Sequence, residues 1–103
     1  VLAWVWNLLS QDLDVYKRVV DECRRFNLKD PINLSQIPFV QAVLSETMRL
    51  YPPVWLTGRQ ALVDTQLGGY FIPKNTTVVF SQYLIQRREK YFDDPDPQSL
   101  KIR

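Results

Sequence analysis

Glu46 and Arg49 are the charged pair with the most specific surroundings, since Leu50, Tyr51 and a double proline follow them directly. On a helix, side chains at i and i+3 lie about 60° apart around the axis, so the two groups can meet. A guanidinium can hold a carboxylate through two parallel hydrogen bonds, which fixes the segments that carry both groups. Taken alone, the pair is better explained as a solvated ion pair worth roughly 0.2–0.5 kcal/mol.

The residue types that the sequence lacks exclude several kinds of chemistry. There is no histidine, which excludes Ser-His-Asp and Cys-His catalysis and histidine metal sites. Cys23 is the only cysteine, so no internal disulfide forms. The net charge of +2 and the scattered basic residues indicate no nucleic-acid partner. Any chemistry must therefore use carboxylates, arginines, hydroxyls, backbone groups or a cofactor held elsewhere.

The first two predicted elements are helices. Residues 1–9 are almost all apolar and fit the end of a mostly buried helix. Asp12 or Asp14 can cap a second helix, followed by a linker at residues 27–31 and a short helical turn that begins at Asn33 or Ser35. Apolar residues recur along the second helix at helical spacing: Val15, Val19, Val20 and Cys23.

The third predicted helix carries the Glu46–Arg49 pair. Pro38 suits its first turn, and the double proline at 52–53 ends it because neither residue has an N–H. Its predicted apolar face lies away from the charged pair and comprises Val40, Val43, Leu44, Thr47, Met48 and Tyr51.

After the double proline the pattern changes to short strands. Ala61 to Val63 lead into a hairpin whose turn is Gly68-Gly69. A second turn at Pro73-Lys74-Asn75 precedes a β-branched strand from Thr76 to Tyr83, and a helical turn is expected around Leu84 to Arg88. Several strands have no obvious partner, which indicates a piece of a larger sheet. The predicted fold class is α+β, mainly helical, with three helices followed by short β hairpins.

Residues 37–53, IPFVQAVLSETMRLYPP, resemble the K helix of the cytochrome P450 family of haem-thiolate monooxygenases. The resemblance continues in residues 1–22, in the 69–76 stretch GYFIPKNT and in the 92–96 stretch FDDPD. It implies a partial cytochrome P450 fold with these parts: the end of the I helix at 1–10, the J helix at 12–26, the K helix at 38–51, a β region at 56–83 and the start of the meander at 91–97.

The resemblance also implies roles for individual residues. Glu46 and Arg49 would meet a second arginine from a later loop in a buried ionic network that holds the scaffold. Arg59 would contact a haem propionate, because it stands ahead of Asp64 and Gly68-Gly69 as in the family. The residues that would line a substrate pocket over the haem are Val54, Trp55, Leu56 and Thr57. For these four, a strand packed in the core is an equally good explanation.

Several family features are missing from the sequence. No Phe-x-x-Gly-x-x-x-Cys-x-Gly motif supplies the axial cysteine, and Cys23 on the second helix is better explained as a partly buried thiol. The oxygen-handling acid and threonine of the I helix would precede Val1, and residues 97–103 offer no match for the second arginine of the network. Gln86 stands where the family commonly has His, and Asn75 replaces a common Gly.

The implied function is that of a fragment of a haem-dependent monooxygenase, which inserts one oxygen atom from O2 into a small organic or lipophilic substrate. Its electron donor would be a reductase or a ferredoxin. Haem would bind the parent protein and not this fragment stably, so the fragment alone is expected to be inactive. The alternatives are a truncated, non-catalytic relic or interaction module without haem, and a small independent α+β binding module. No apolar run reaches the roughly 18 residues of a membrane span, and cytoplasmic and membrane-associated locations both stay open.

Overall fold

A computed structural model describes residues 1–26 and 34–93, and it places three helices before the double proline, as predicted. They are α1 (Leu2–Gln11), α2 (Leu13–Arg24) and α3 (Pro38–Leu50), with a 3₁₀ turn at Leu34–Gln36. The predicted linker at 27–31, Asn33 and the end of the predicted meander lie outside the described residues. None of the helices in the described ranges combines the length and the apolar character that crossing a membrane requires.

Carboxylates cap two of these helices. Asp12 is the N-cap of α2, where its Oδ1 accepts hydrogen bonds from the backbone N–H groups of Asp14 and Val15 at 3.2 and 3.1 Å. The N-terminus of α3 is capped from another helix: Glu22 of α2 accepts from the backbone N–H groups of Phe39 and Val40 at 3.1 and 2.8 Å. These bonds satisfy donors that a helix leaves open at its start, and they join α2 to α3.

The core lies where the three helices meet. Its buried members are Val5, Leu8, Leu9, Val15, Val43 and Leu50, with the buried polar residue Thr47 beside them. The Thr47 hydroxyl donates to the Val43 carbonyl at 2.8 Å, so its burial leaves no open donor.

The predicted apolar face of α3 is partly wrong. Met48 is exposed, and Leu50 is buried instead, because α3 turns the row of Val43, Thr47 and Leu50 toward α1 and α2. Cys23, expected to be partly buried, is also exposed. Packing against neighbouring helices decides such rotations, and periodicity alone locates the buried row only approximately.

The first helix is less buried than its composition predicts. Only Val5, Leu8 and Leu9 of α1 are buried, while Leu2 and Trp6 are exposed. One face of α1 packs on α2 and α3, and the described part of the chain supplies nothing to cover the opposite face.

The four strands in residues 34–93 are all paired, which corrects the prediction that several would lack partners. The strands are β1 (Thr57–Gln60), β2 (Thr65–Leu67), β3 (Tyr70–Ile72) and β4 (Thr77–Phe80). β2 and β3 form a local hairpin, whereas β1 pairs antiparallel with β4 in the register Thr57 to Phe80 and Gln60 to Thr77. Ala61 to Val63 belong to no strand and connect the two pairs.

Residues with positive φ make the turns that the sequence predicts. Gly68 and Gly69 have φ values of 56° and 85°, as a two-residue hairpin turn of the primed type requires, and Asn75 has a φ of 67°. β4 ends at Phe80 instead of Tyr83, because Ser81 caps the short helix α4 (Gln82–Ile85) through a bond from Leu84 N–H to its hydroxyl at 3.3 Å. This helix also starts before the predicted turn at 84–88.

Candidate functional site

The Glu46–Arg49 pair forms a two-pronged ion pair on α3. Arg49 Nε donates to Glu46 Oε2 and Arg49 Nη2 donates to Glu46 Oε1, both at 2.8 Å. The side chains of Arg49 and Glu46 are only 14% and 11% exposed, so this is not the solvated surface pair that the spacing alone favours. An enclosed pair in this geometry holds its two side chains in one arrangement.

Arg49 also reaches a segment that lies far away in the sequence. Its Nη1 donates to the backbone carbonyl of Gln86 at 2.8 Å, and its guanidinium lies 5.1 Å from the centre of the Phe92 ring. Three of the five N–H donors of Arg49 therefore donate hydrogen bonds to Glu46 and Gln86. The Oε1 atom of Gln86 is buried and has no hydrogen-bond partner within the described residues.

Arg59 lies on β1, opposite Val78 of β4, and its side chain is exposed. It makes no ion pair or side-chain hydrogen bond in residues 1–26 and 34–93. It borders an open cleft with a volume of about 410 Å³. The other residues that line this cleft are mostly apolar and include Leu67, Ile72, Val78 and Phe80. A single guanidinium at the edge of an apolar surface suits a ligand that combines an apolar body with a carboxylate.

The stretch before β1 is open. Val54, Trp55 and Leu56 are 56%, 60% and 44% exposed, and only Thr57 begins a strand. Within the described residues, Val54, Trp55 and Leu56 are therefore not packed in the helical core, and Thr57 is half-buried. The backbone carbonyl of Trp55 accepts a hydrogen bond from the Ser81 hydroxyl at 2.9 Å, which fixes the course of the open stretch.

Arg87 is a residue at this site that no sequence motif indicated. Its Nη1 donates to the carbonyl of Leu50, the last residue of α3, at 2.5 Å. The same guanidinium lies over the rings of Tyr83 and Tyr51, 3.8 and 5.6 Å from their centres. An arginine within a predicted helical turn gives no sign of its contacts with Leu50 and Tyr51, because these partners are distant in the sequence.

The cytochrome P450 family profile matches residues 1–99 of this chain. The chain therefore belongs to the cytochrome P450 family, and the predicted α+β fold of a partial cytochrome P450 is confirmed. Relatives in this family are named as hydroxylases and monooxygenases.

Individual relatives come from plants and bacteria. The chain is 35% identical to the beta-amyrin 24-hydroxylase of Glycine max over 91% of this chain and 19% of that protein. It is 30% identical to the pentalenene oxygenase of Streptomyces avermitilis over 90% of this chain and 21% of that protein. The chain thus spans about a fifth of the length of the curated relatives that it matches.

A solved structure of a zebra fish cytochrome P450 with progesterone has the same arrangement. Its similarity to this chain has a TM-score of 0.84 and 31% sequence identity, and covers 93% of this chain and 24% of that one. The helices and paired strands described above are therefore laid out as in the matching part of that structure.

The residues of this chain fit one end of a haem group and not the other. Arg59 and the apolar surface beside it suit a propionate and the edge of a flat apolar ring. For an axial thiolate on the iron, the sequence offers only Cys23, which is exposed on α2. Within the described residues, no group of three or more acidic or cysteine side chains could hold a metal ion.

Proposed function

We propose that this chain is the scaffold part of a haem-dependent monooxygenase that inserts one oxygen atom from O2 into an organic substrate, with electrons from a reductase or ferredoxin. The observation that carries the proposal is the enclosed, two-pronged Glu46–Arg49 pair at the end of α3 in a chain of the cytochrome P450 family. Haem, when bound to the complete protein, would supply the oxygen chemistry.

The role proposed for Glu46 and Arg49 is structural and not catalytic. Arg49 joins the carboxylate on its own helix to the Gln86 carbonyl beyond the β strands, so one guanidinium fixes α3 and the end of α4 together. A second arginine from another part of the complete protein would extend the network, as the family resemblance implies. The pair itself contributes no proton or electron to the reaction.

Arg59 is proposed to hold a haem propionate, and Val54, Trp55, Leu56 and Thr57 are proposed to line the substrate pocket. The exposed guanidinium and its lack of a side-chain partner within the described residues support the first role. The openness of Val54, Trp55 and Leu56 supports the second, because these apolar groups face outward from the helical core.

The proposed reaction is tested by turnover of the complete protein under ¹⁸O2 with a panel of lipophilic compounds and a general electron donor. We expect a product that carries one heavy oxygen atom and a second heavy atom in water, since one atom enters the substrate. Products that take their oxygen from the solvent would contradict a monooxygenase.

Replacing Arg59 by alanine in the complete protein is expected to accelerate haem loss. A hydrogen bond to a charged group contributes about 1.5–3 kcal/mol, which corresponds to roughly tenfold to hundredfold faster release. Release can be measured by transfer of haem to an excess of apomyoglobin. Arg59→Lys should lie between alanine and the parent, because lysine keeps the charge but not the planar fork.

The matched control for this experiment is Arg88→Ala. Arg88 is exposed, and its side chain makes no hydrogen bond, ion pair or ring contact within the described residues. Equal release rates for Arg59→Ala and the parent protein would remove Arg59 from the propionate site.

A second candidate is a non-catalytic chain, either a truncated relic or an interaction module without haem. The reading frame beyond Arg103 separates the two candidates. A continuation to a Phe-x-x-Gly-x-x-x-Cys loop supports the enzyme, and a genuine stop codon supports the relic.

A further inference from the structure

Two arginines reach in opposite directions across the same two segments of the chain. Arg49 on α3 donates to the carbonyl of Gln86, and Arg87 donates to the carbonyl of Leu50. Each hydrogen bond joins residues that are 37 positions apart. We call this reciprocal contact, made by Arg49, Leu50, Gln86 and Arg87, the arginine clasp. It ties together the two ends of the segment that contains all four strands.

The Arg87 half of the clasp is more than a hydrogen bond. Leu50 ends α3, so its carbonyl is one of the acceptors that a helix leaves open, and a positive charge there also suits the helix dipole. The guanidinium stacks on Tyr83 of α4 and lies near Tyr51, whose ring stacks on Trp4 at 4.0 Å with an angle of 4°. Arg87 therefore connects the ends of α3 and α4 and, through Tyr51, α1.

A continuous path of contacts leads from the clasp to Arg59. The Ser81 hydroxyl, at the start of α4, donates to the Trp55 carbonyl at 2.9 Å just before β1 begins. Two residues past Trp55, Thr57 pairs with Phe80, and the ladder continues through Arg59 and Val78. The start of β1 and the end of β4 lie next to each other, because Thr57 pairs with Phe80. A contact that holds these two ends therefore also sets the orientation of β1 relative to α3.

The geometry points to Arg87 as a positioning residue: by closing the base of the β1–β4 pair, it places the Arg59 guanidinium for its carboxylate ligand. This inference rests on the proposed function, in which that ligand is a haem propionate. Lysine could supply the charge at Leu50 but not a planar surface on Tyr83 together with a directed hydrogen bond.

The inference is tested in the complete protein with Arg87→Gln, Arg59→Ala and the double variant. We expect Arg87→Gln to release haem about tenfold faster, the change that losing one hydrogen bond from a charged group produces. The double variant should release haem no faster than Arg59→Ala, because Arg87 acts through Arg59. Arg88→Gln is the matched control, since it removes the same charge from an exposed neighbour and should leave the rate unchanged.

Hydrogen exchange supplies a readout that is independent of haem. In Arg87→Gln, the amides of the β1–β4 ladder should exchange faster, and those of the β2–β3 hairpin should keep their rates, because that hairpin is closed by its own turn. In Arg87→Lys, the exchange rates of the β1–β4 amides should lie between those of the parent and of Arg87→Gln. This variant replaces Arg87→Gln in the experiment if the glutamine variant does not fold. An increase in exchange across every element would indicate a general structural role and would overturn the inference.

The remaining outcomes separate this inference from the proposed function. If the parent protein binds no haem, the proposed function fails and the positioning role fails with it. If the parent binds haem normally and Arg87→Gln releases it at the parental rate, only the positioning role is overturned. The positioning role would also be overturned if Arg87→Gln accelerated haem release by the same factor in the Arg59→Ala variant as in the parent protein.

Discussion

Replacing Glu46 by alanine in the complete protein is expected to abolish haem incorporation. The carboxylate accepts two hydrogen bonds from Arg49, and both side chains are mostly enclosed. Removing one partner of a buried ion pair costs about 3–5 kcal/mol, because the remaining charge loses its counter-ion and stays out of water. The same guanidinium holds the Gln86 carbonyl, so its displacement would also loosen the junction between α3 and α4. The measurement is the reduced carbon-monoxide difference spectrum of the purified variant.

Two companion variants sharpen this test. Glu46→Gln keeps one acceptor and should retain part of the haem. Glu89→Ala removes an exposed acid whose side chain makes no hydrogen bond or ion pair within the described residues, and it should bind haem as the parent does. A Glu46→Ala protein with a normal spectrum would show that the ion pair does not support the scaffold.

The second expected result concerns residues 1–103 by themselves, which should give no thiolate-type Soret band when mixed with haemin and reduced under carbon monoxide. Cys23 is the only cysteine and there is no histidine, so no thiolate or imidazole ligand for the iron lies beyond the helix α2. The chain also exposes many large apolar side chains, among them Leu2, Trp6, Leu62, Val63, Tyr70 and Phe71. Such surfaces favour aggregation over a rigid haem pocket.

The matched control is the same chain with Cys23→Ser. Both chains should give the same featureless difference spectrum, because the thiol is not proposed to bind iron. A thiolate-type band that appears with Cys23 and disappears with serine would show that this cysteine serves as an axial ligand, and it would contradict the scaffold role.

Local physical rules were enough to predict much of the fold. The double proline ends α3, Asp12 caps α2, and Gly68-Gly69 and Asn75 take the positive φ values that their turns need. The geometry of the Glu46–Arg49 pair was also predictable, because i,i+3 spacing on a helix brings the two groups together. In each case the deciding interaction lies within a few residues of the chain.

The features that the sequence did not reveal depend on contacts between distant residues. Glu22 caps α3 across 17 and 18 positions, and Arg87 reaches Leu50 across 37. The pairing of β1 with β4 is likewise non-local, which is why these strands seemed to lack partners. The rotation of α3 that buries Leu50 and exposes Met48 follows from packing against two other helices, and no periodicity within α3 specifies it.

The central claim, that this chain forms part of a haem-thiolate monooxygenase, is tested most directly by one spectrum. The complete protein that contains residues 1–103 is expressed, purified and reduced, and its carbon-monoxide difference spectrum is recorded. A thiolate-type Soret band, with one haem per polypeptide, is the predicted result. A purified, folded protein that binds no haem would contradict the claim.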